Sequence, residues 1–132
     1  MDIAMTRTAR PRYRVNADSW TVLRDILSTP PEGGKPSEFN ADSASLRGRL
    51  ETHPESGLMT GDTLALFAGH RASGAIDYVI YSYGTPIAYR VTQHIRWRNV
   101  FVSTWIVPDD RYSVTTTKHQ GRVRTAISQL GD

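Results

Sequence analysis

The sequence predicts an α+β domain: an antiparallel β-meander of three to four strands with two to three helices packed on one face. Three observations point to it. Apolar residues recur at helical spacing early in the chain, they alternate with polar ones beyond Asp62, and a capped helical stripe closes the C-terminal end.

Residues 1–14 (MDIAMTRTARPRYR) carry four arginines and few apolar side chains. They read as a basic, poorly ordered N-terminal arm that joins the fold near Tyr13 and leaves residues 15–132 as a single domain. A helix follows, with Asp18 or Ser19 as cap and Trp20, Leu23, Ile26 and Leu27 on one face; it must end before Pro30. Five of the eight residues Thr29–Pro36 are Pro or Gly, which makes that segment a loop. A shorter helix is expected from Asn40 or Asp42 to about Glu51, burying Leu46 and Leu50, although Gly48 weakens it. Residues 53–62 form another loop.

Strands are expected next. Thr63–Phe67 is a short one, and Ile76–Tyr83 is firmer because it is rich in β-branched and aromatic residues. Gly84-Thr85-Pro86 turns the chain, which re-enters as Ile87–Val91. Beyond that the alternation is clean: Ile87, Tyr89, Val91, Ile95 and Trp97 on one parity, Arg90, Thr92, His94, Arg96 and Arg98 on the other. A strand of that length calls for a bulge or turn near Thr92–His94. Val100–Val107 is the next strand, closed by Pro108-Asp109-Asp110. In the last helix Thr117 and Gln120 match a reciprocal cap, Val123, Ala126, Ile127 and Leu130 form the buried stripe, and Gly131 is the stop.

Composition bounds the rest. The chain has 132 residues, 39% of them apolar and 22% charged, and no cysteine. That suffices for one core and rules out disulfides and cysteine metal sites. No apolar run approaches about 18 residues and the N-terminus lacks an apolar signal core, so a soluble, cytoplasmic protein is expected. The net charge of +3 is uneven: residues 67–132 hold eight basic and four acidic side chains, whereas residues 1–66 hold eight and nine. A polyanion would therefore meet the C-terminal half.

Two constellations stand out there. Arg90, Arg96 and Arg98, with His94, form a cationic strand face. It fits phosphate pairing, but it fits better a solvated face whose arginines pair with Asp77, Asp109 or Asp110 and guard a sheet edge. Tyr89 and Trp97 fall on the opposite parity, towards the core, so they offer bases no stacking platform. The second is the start of the last helix, where Ser113, Thr115, Thr116, Thr117 and His119 make an anion-binding set, with Lys118 and Arg122 adding charge. Ordinary capping needs only one of those hydroxyls.

The histidines His53, His70, His94 and His119 lack metal-ligand spacing. His119 shares a helical face with Val123 and Ile127, which suits a core-edge histidine bonded to backbone; a Ser113–His119 nucleophile–base pair lacks an orienting acid. There is no phosphate-binding or dinucleotide glycine fingerprint. No catalytic residue, metal or cofactor is expected, and an exposed strand edge leaves the oligomeric state open.

Tyr78-Val-Ile-Tyr-Ser-Tyr-Gly-Thr-Pro-Ile-Ala88 and Trp105-Ile-Val-Pro-Asp-Asp-Arg-Tyr-Ser-Val-Thr-Thr-Thr-Lys-His-Gln120 resemble the shared core of a family of small uncharacterised actinobacteriophage proteins, mycobacteriophage proteins especially. Phe39-Asn-Ala-Asp-Ser-Ala-Ser-Leu-Arg-Gly48 is similar to that family's upstream segment. Between Ala88 and Trp105 the family commonly has a short turn, where this chain carries an Arg-rich stretch. The resemblance implies a phage accessory protein with host-directed or DNA-associated roles, working in the host cytoplasm. With the charge pattern, the expected function is non-enzymatic binding of nucleic acid through Arg90, Arg96, Arg98, Lys118 and Arg122. The alternative is a protein-binding module that inhibits or redirects a host protein.

Overall fold

A computed structural model describes residues 12–15, 20–28 and 35–130. Of the expected N-terminal arm, residues 1–11 lie outside the described residues, as do the caps expected at Asp18 or Ser19 and the stop at Gly131. The elements are β1 (Arg12–Val15), α1 (Trp20–Leu27), β2 (Glu38–Ala41), β3 (Leu46–Arg49), α2 (Gly61–Ala72), β4 (Ile76–Ser82), β5 (Thr85–Ile95), β6 (Val100–Ile106) and α3 (Val114–Ser128). The fold is α+β. Six strands form one sheet in chain order, β1 pairing parallel to β2 and β2 to β6 running antiparallel throughout. The strand count exceeds the expected three to four because the segment before residue 50 supplies three of its own.

Helices cover both faces rather than one. Leu23, Ile26 and Leu27 of α1 and Val123 and Ala126 of α3 pack with Phe39, Tyr78, Ile80 and Ala88. On the other face Phe67 of α2, with Met59, packs against Val79, Tyr81, Tyr89 and Val91. Two-sided burial changes the reading of β5: every residue from Thr85 to Val91 is buried, whichever way it points.

The helix expected over Asn40 or Asp42 to Glu51 is a β-hairpin, β2–β3. Phe39 and Ala41 alternate with half-buried neighbours, as do Leu46 and Gly48. Asp42, Ser43 and Ala44 make the turn in left-handed conformation, at φ +52°, +58° and +72°. Gly48 belongs there for lack of a side chain: a Cβ would collide with the Tyr78 hydroxyl and the Phe39 ring. The strand expected over Thr63–Phe67 is part of α2, whose Ala and Leu content favours a helix. Phe67 is its one residue buried outright, so a helical period is hard to see in the sequence.

The β4–β5 turn falls at Tyr83-Gly84, both at positive φ, and Thr85-Pro86 already belong to β5. β5 runs to Ile95 in unbroken register with β6; the irregularities lie instead between β4 and β5. α3 starts a turn earlier than expected, since its cap is Ser113, whose Oγ accepts from Thr116 N at 3.1 Å. Among the described residues no helix is long and apolar enough to cross a membrane.

Candidate functional site

The far end of the β5–β6 hairpin is exposed, unlike β4 and the first half of β5. Residues Gln93–His94 and Val100–Thr104 are exposed, and the turn Arg96-Trp97-Arg98-Asn99 closes it with Asn99 at φ +51°, a conformation asparagine tolerates. The chain thus bends after Ile95, which takes Trp97 out of the strand alternation. Trp97 does not line the core; it is 84% exposed at the tip, with the Arg98 guanidinium 5.5 Å from its ring centre. His94 and Phe101 are cross-strand partners whose rings stack at 4.6 Å and 22°, and Phe101 is 72% exposed. Thr92 and Ser103 form the next pair on the same face, their hydroxyls 2.8 Å apart. Beside them lies a groove of about 630 Å³ lined by Lys35, Thr52, Asp77, Thr92, Phe101 and Ser103 among others.

Arg90 shares the parity of Thr92 but is no part of an open cationic row. It is buried, and it donates to both Asp77 oxygens, Nε to Oδ1 at 3.0 Å and Nη2 to Oδ2 at 2.9 Å. Asp77 also accepts from Thr92 Oγ1 at 2.8 Å. A guanidinium held bidentate by its own chain in a buried setting has no charge to offer a phosphate. Arg122 is likewise engaged, donating to Asp42 at 3.1 Å. Arg96, Arg98 and Lys118 are exposed. Lys118 and the helix start lie at the Thr85 end of β5, because α3 contacts Ser82 there. An 11-residue strand separates that end from the tip, about 35 Å. The two basic regions expected to act together are two separate places.

The hydroxyl cluster at the α3 start is used up inside the fold. Ser113 caps the helix, Thr117 Oγ1 donates to Ser113 O at 2.8 Å, and Thr116 Oγ1 lies 3.1 Å from Ser82 Oγ. His119 is fully buried and bonds side chains, not backbone: Ser82 Oγ is 2.7 Å from Nδ1 and Asp42 Oδ2 is 2.6 Å from Nε2. Of the five expected anion ligands, only Thr115 is left exposed without such an engagement.

Thr116, Ser82, His119 and Asp42 therefore form one hydrogen-bonded chain, with Arg122 on its acidic end. Burial pushes the Asp42 carboxyl up, but hydrogen bonds from His119 and Arg122 and their charges outweigh it and hold the group below its ordinary value. An ionised Asp42 accepts, so Nε2 of His119 carries a proton. Ser82 has one proton to give: given to Nδ1 of His119, it leaves Thr116 to donate to Ser82, whereas given to Thr116 it requires a second proton, on Nδ1. Tyr83 stacks over His119 at 5.9 Å between ring centres. The order resembles a nucleophile–base–acid relay, and Asp42 supplies the acid that a Ser113–His119 pairing lacked. Its burial speaks against that chemistry: Ser82 is 1% exposed, so no substrate carbonyl reaches its oxygen. What the chain does is fasten three segments distant in sequence. Nothing in the local sequence pattern marked Asp42 or Ser82, since their link to His119 spans 77 and 37 residues.

Residues 15–129 match a family described as a family of unknown function (DUF8033). No curated protein and no solved structure matches the chain.

Proposed function

Since the chain belongs to this family of unknown function, we propose its role from its geometry: it binds nucleic acid through the β5–β6 hairpin, as a non-enzymatic accessory protein of phage origin. The carrying observation is the exposed tip, where Arg96 and Arg98 flank Trp97 beside the stacked His94–Phe101 pair. Flat exposed rings next to guanidiniums suit unpaired bases with their phosphates close by, which favours single strands over duplex. The groove beside Phe101 has room for a base, and Lys35 on its lining adds a cation. Arg90 and Arg122 are spoken for by Asp77 and Asp42, and Lys118 lies at the far end, so none of the three belongs to this surface. The resemblance to actinobacteriophage proteins supports the accessory role.

Fluorescence anisotropy with labelled single-stranded DNA, RNA and duplex DNA tests the reading. Binding should weaken with salt at a slope of only about 2, since few phosphates are neutralised. Trp97→Ala and Phe101→Ala should each cost about 5- to 100-fold, the worth of one stacked base. Lys118→Ala should leave affinity unchanged. Absence of binding to every probe at low salt overturns the proposal. The alternative, a module that inhibits or redirects a host protein, would show instead as a partner captured from nuclease-treated host lysate and lost in Trp97→Ala.

A further inference from the structure

The outer edge of β6 carries none of the features that ordinarily keep an exposed edge unpaired. It is an edge strand of the sheet, seven residues long with the sequence Val-Phe-Val-Ser-Thr-Trp-Ile, paired to β5 over its whole length without a bulge. It holds no lysine, no proline and no charge. Five of its seven residues, Val100 to Thr104, are exposed, so no helix or loop among the described residues covers it. Val100 and Val102 on one face of the strand and Phe101 on the other are exposed apolar side chains beside that edge.

We infer that this edge pairs antiparallel with the β6 edge of a second copy of the chain, about a two-fold axis through Ser103. The pattern around Ser103 is self-complementary. In that register Val100 stands opposite Ile106 of the second copy, Phe101 opposite Trp105, Val102 opposite Thr104, and Ser103 opposite itself. Every apolar side chain thus meets an apolar or methyl-bearing one, and the aromatic pair shares a face. The ends complement each other too. The tip of one copy, with Arg96 and Arg98, comes alongside Pro108-Asp109-Asp110 of the other. The Asp109 side chain is 95% exposed and bonds Arg124 of its own chain at a long 3.3 Å, so it can take a second guanidinium. An axis perpendicular to the sheet puts both His94–Phe101 stacks on one side of a continuous twelve-stranded sheet, twice the six of each copy.

The inference does not rest on nucleic-acid binding, and the two fail separately. Sedimentation of nuclease-treated protein at micromolar to tens of micromolar concentration should show a dimer. Ser103→Asp and Ser103→Lys each place like charges across the axis and should give monomers with unchanged circular dichroism. Mixed together, the two should restore a dimer, since opposite charges then face each other. Asp109→Ala, at a fully solvated position, should weaken the dimer several-fold with folding intact, and Trp97→Ala should leave it in place. A wild-type monomer throughout that range, a dimer indifferent to charge at Ser103, or a mixture that stays monomeric overturns the inference.

Discussion

Asp42 concentrates the demands made on one side chain in this protein. It ends the buried hydrogen-bonded chain, accepts from both His119 and Arg122, and does so from a backbone at φ +52° followed by two more left-handed residues. Such conformations cost non-glycine residues about 1 kcal/mol or more each, and they persist where surrounding contacts over-determine them. Here the contacts are the hydrogen bonds that the turn makes possible. Because the folded carboxyl titrates below its ordinary value, the unfolded chain takes up the proton first as pH falls. The stabilisation is complete above about pH 4 and is lost as pH drops from there through the folded value. Urea unfolding of Asp42→Asn across that window should show a weaker acid slope than wild type, and lower stability at neutral pH, where His119 and Arg122 lose their charged partner. A slope equal to wild type would mean that another group governs the acid limb.

At the scale of elements, the β2–β3 hairpin shows what the sequence conceals. Leu46 and Leu50 sit at helical spacing, and nothing in the residues Asp42-Ser43-Ala44 announces a left-handed turn, since none is glycine. Gly48 was the one visible irregularity, and it marks where β3 lies against Tyr78 and Phe39. Gly48→Ala should accordingly destabilise by about 1–3 kcal/mol in chemical denaturation, the range for a methyl forced into a filled site. A change below about 0.5 kcal/mol, as at an ordinary surface position, would show that the sheet yields there. The β5–β6 hairpin is more legible. Its parity for Thr92 and His94 holds, as the pairs with Ser103 and Phe101 show. Parity stops being informative once a strand ends, and that is why Trp97 and the last two arginines were misplaced. For α3 the residues of its buried stripe were legible, whereas its cap was not, because Ser113, Thr116 and Thr117 all offer hydroxyls within one turn.

For the molecule as a whole, the α+β class was legible because the change from helical to alternating spacing spans long segments. The second covered face was not, because α2 buries only Phe67 outright. Asp77 was among the carboxylates expected to pair with the strand arginines, and it holds Arg90; the partners of His119 depend on long-range pairing that spacing cannot reveal. Two-sided burial has a measurable signature. Burial raises the phenols of Tyr78 and Tyr81 and pushes that of Tyr89 up to about 12, so all three stay protonated in the fold well above the ordinary value. The unfolded chain ionises its tyrosines near pH 10, so the stability these phenols contribute is intact below that and is lost as pH rises beyond it. Spectrophotometric titration should find a class of tyrosines that ionises only as the protein unfolds; six tyrosines titrating together near pH 10 would contradict the packing.

The strand order follows the order of synthesis, so from β2 onward each strand can dock on the one before it. The fastening of that sheet waits for α3: Asp42 and Ser82 emerge before it, and the imidazole that joins them belongs to that helix. A nascent chain halted before His119 would hold a nearly complete sheet whose first face lacks Val123 and Ala126 and whose two polar anchors have no common ligand. A chain cut before His119 therefore holds the sheet without its clasp.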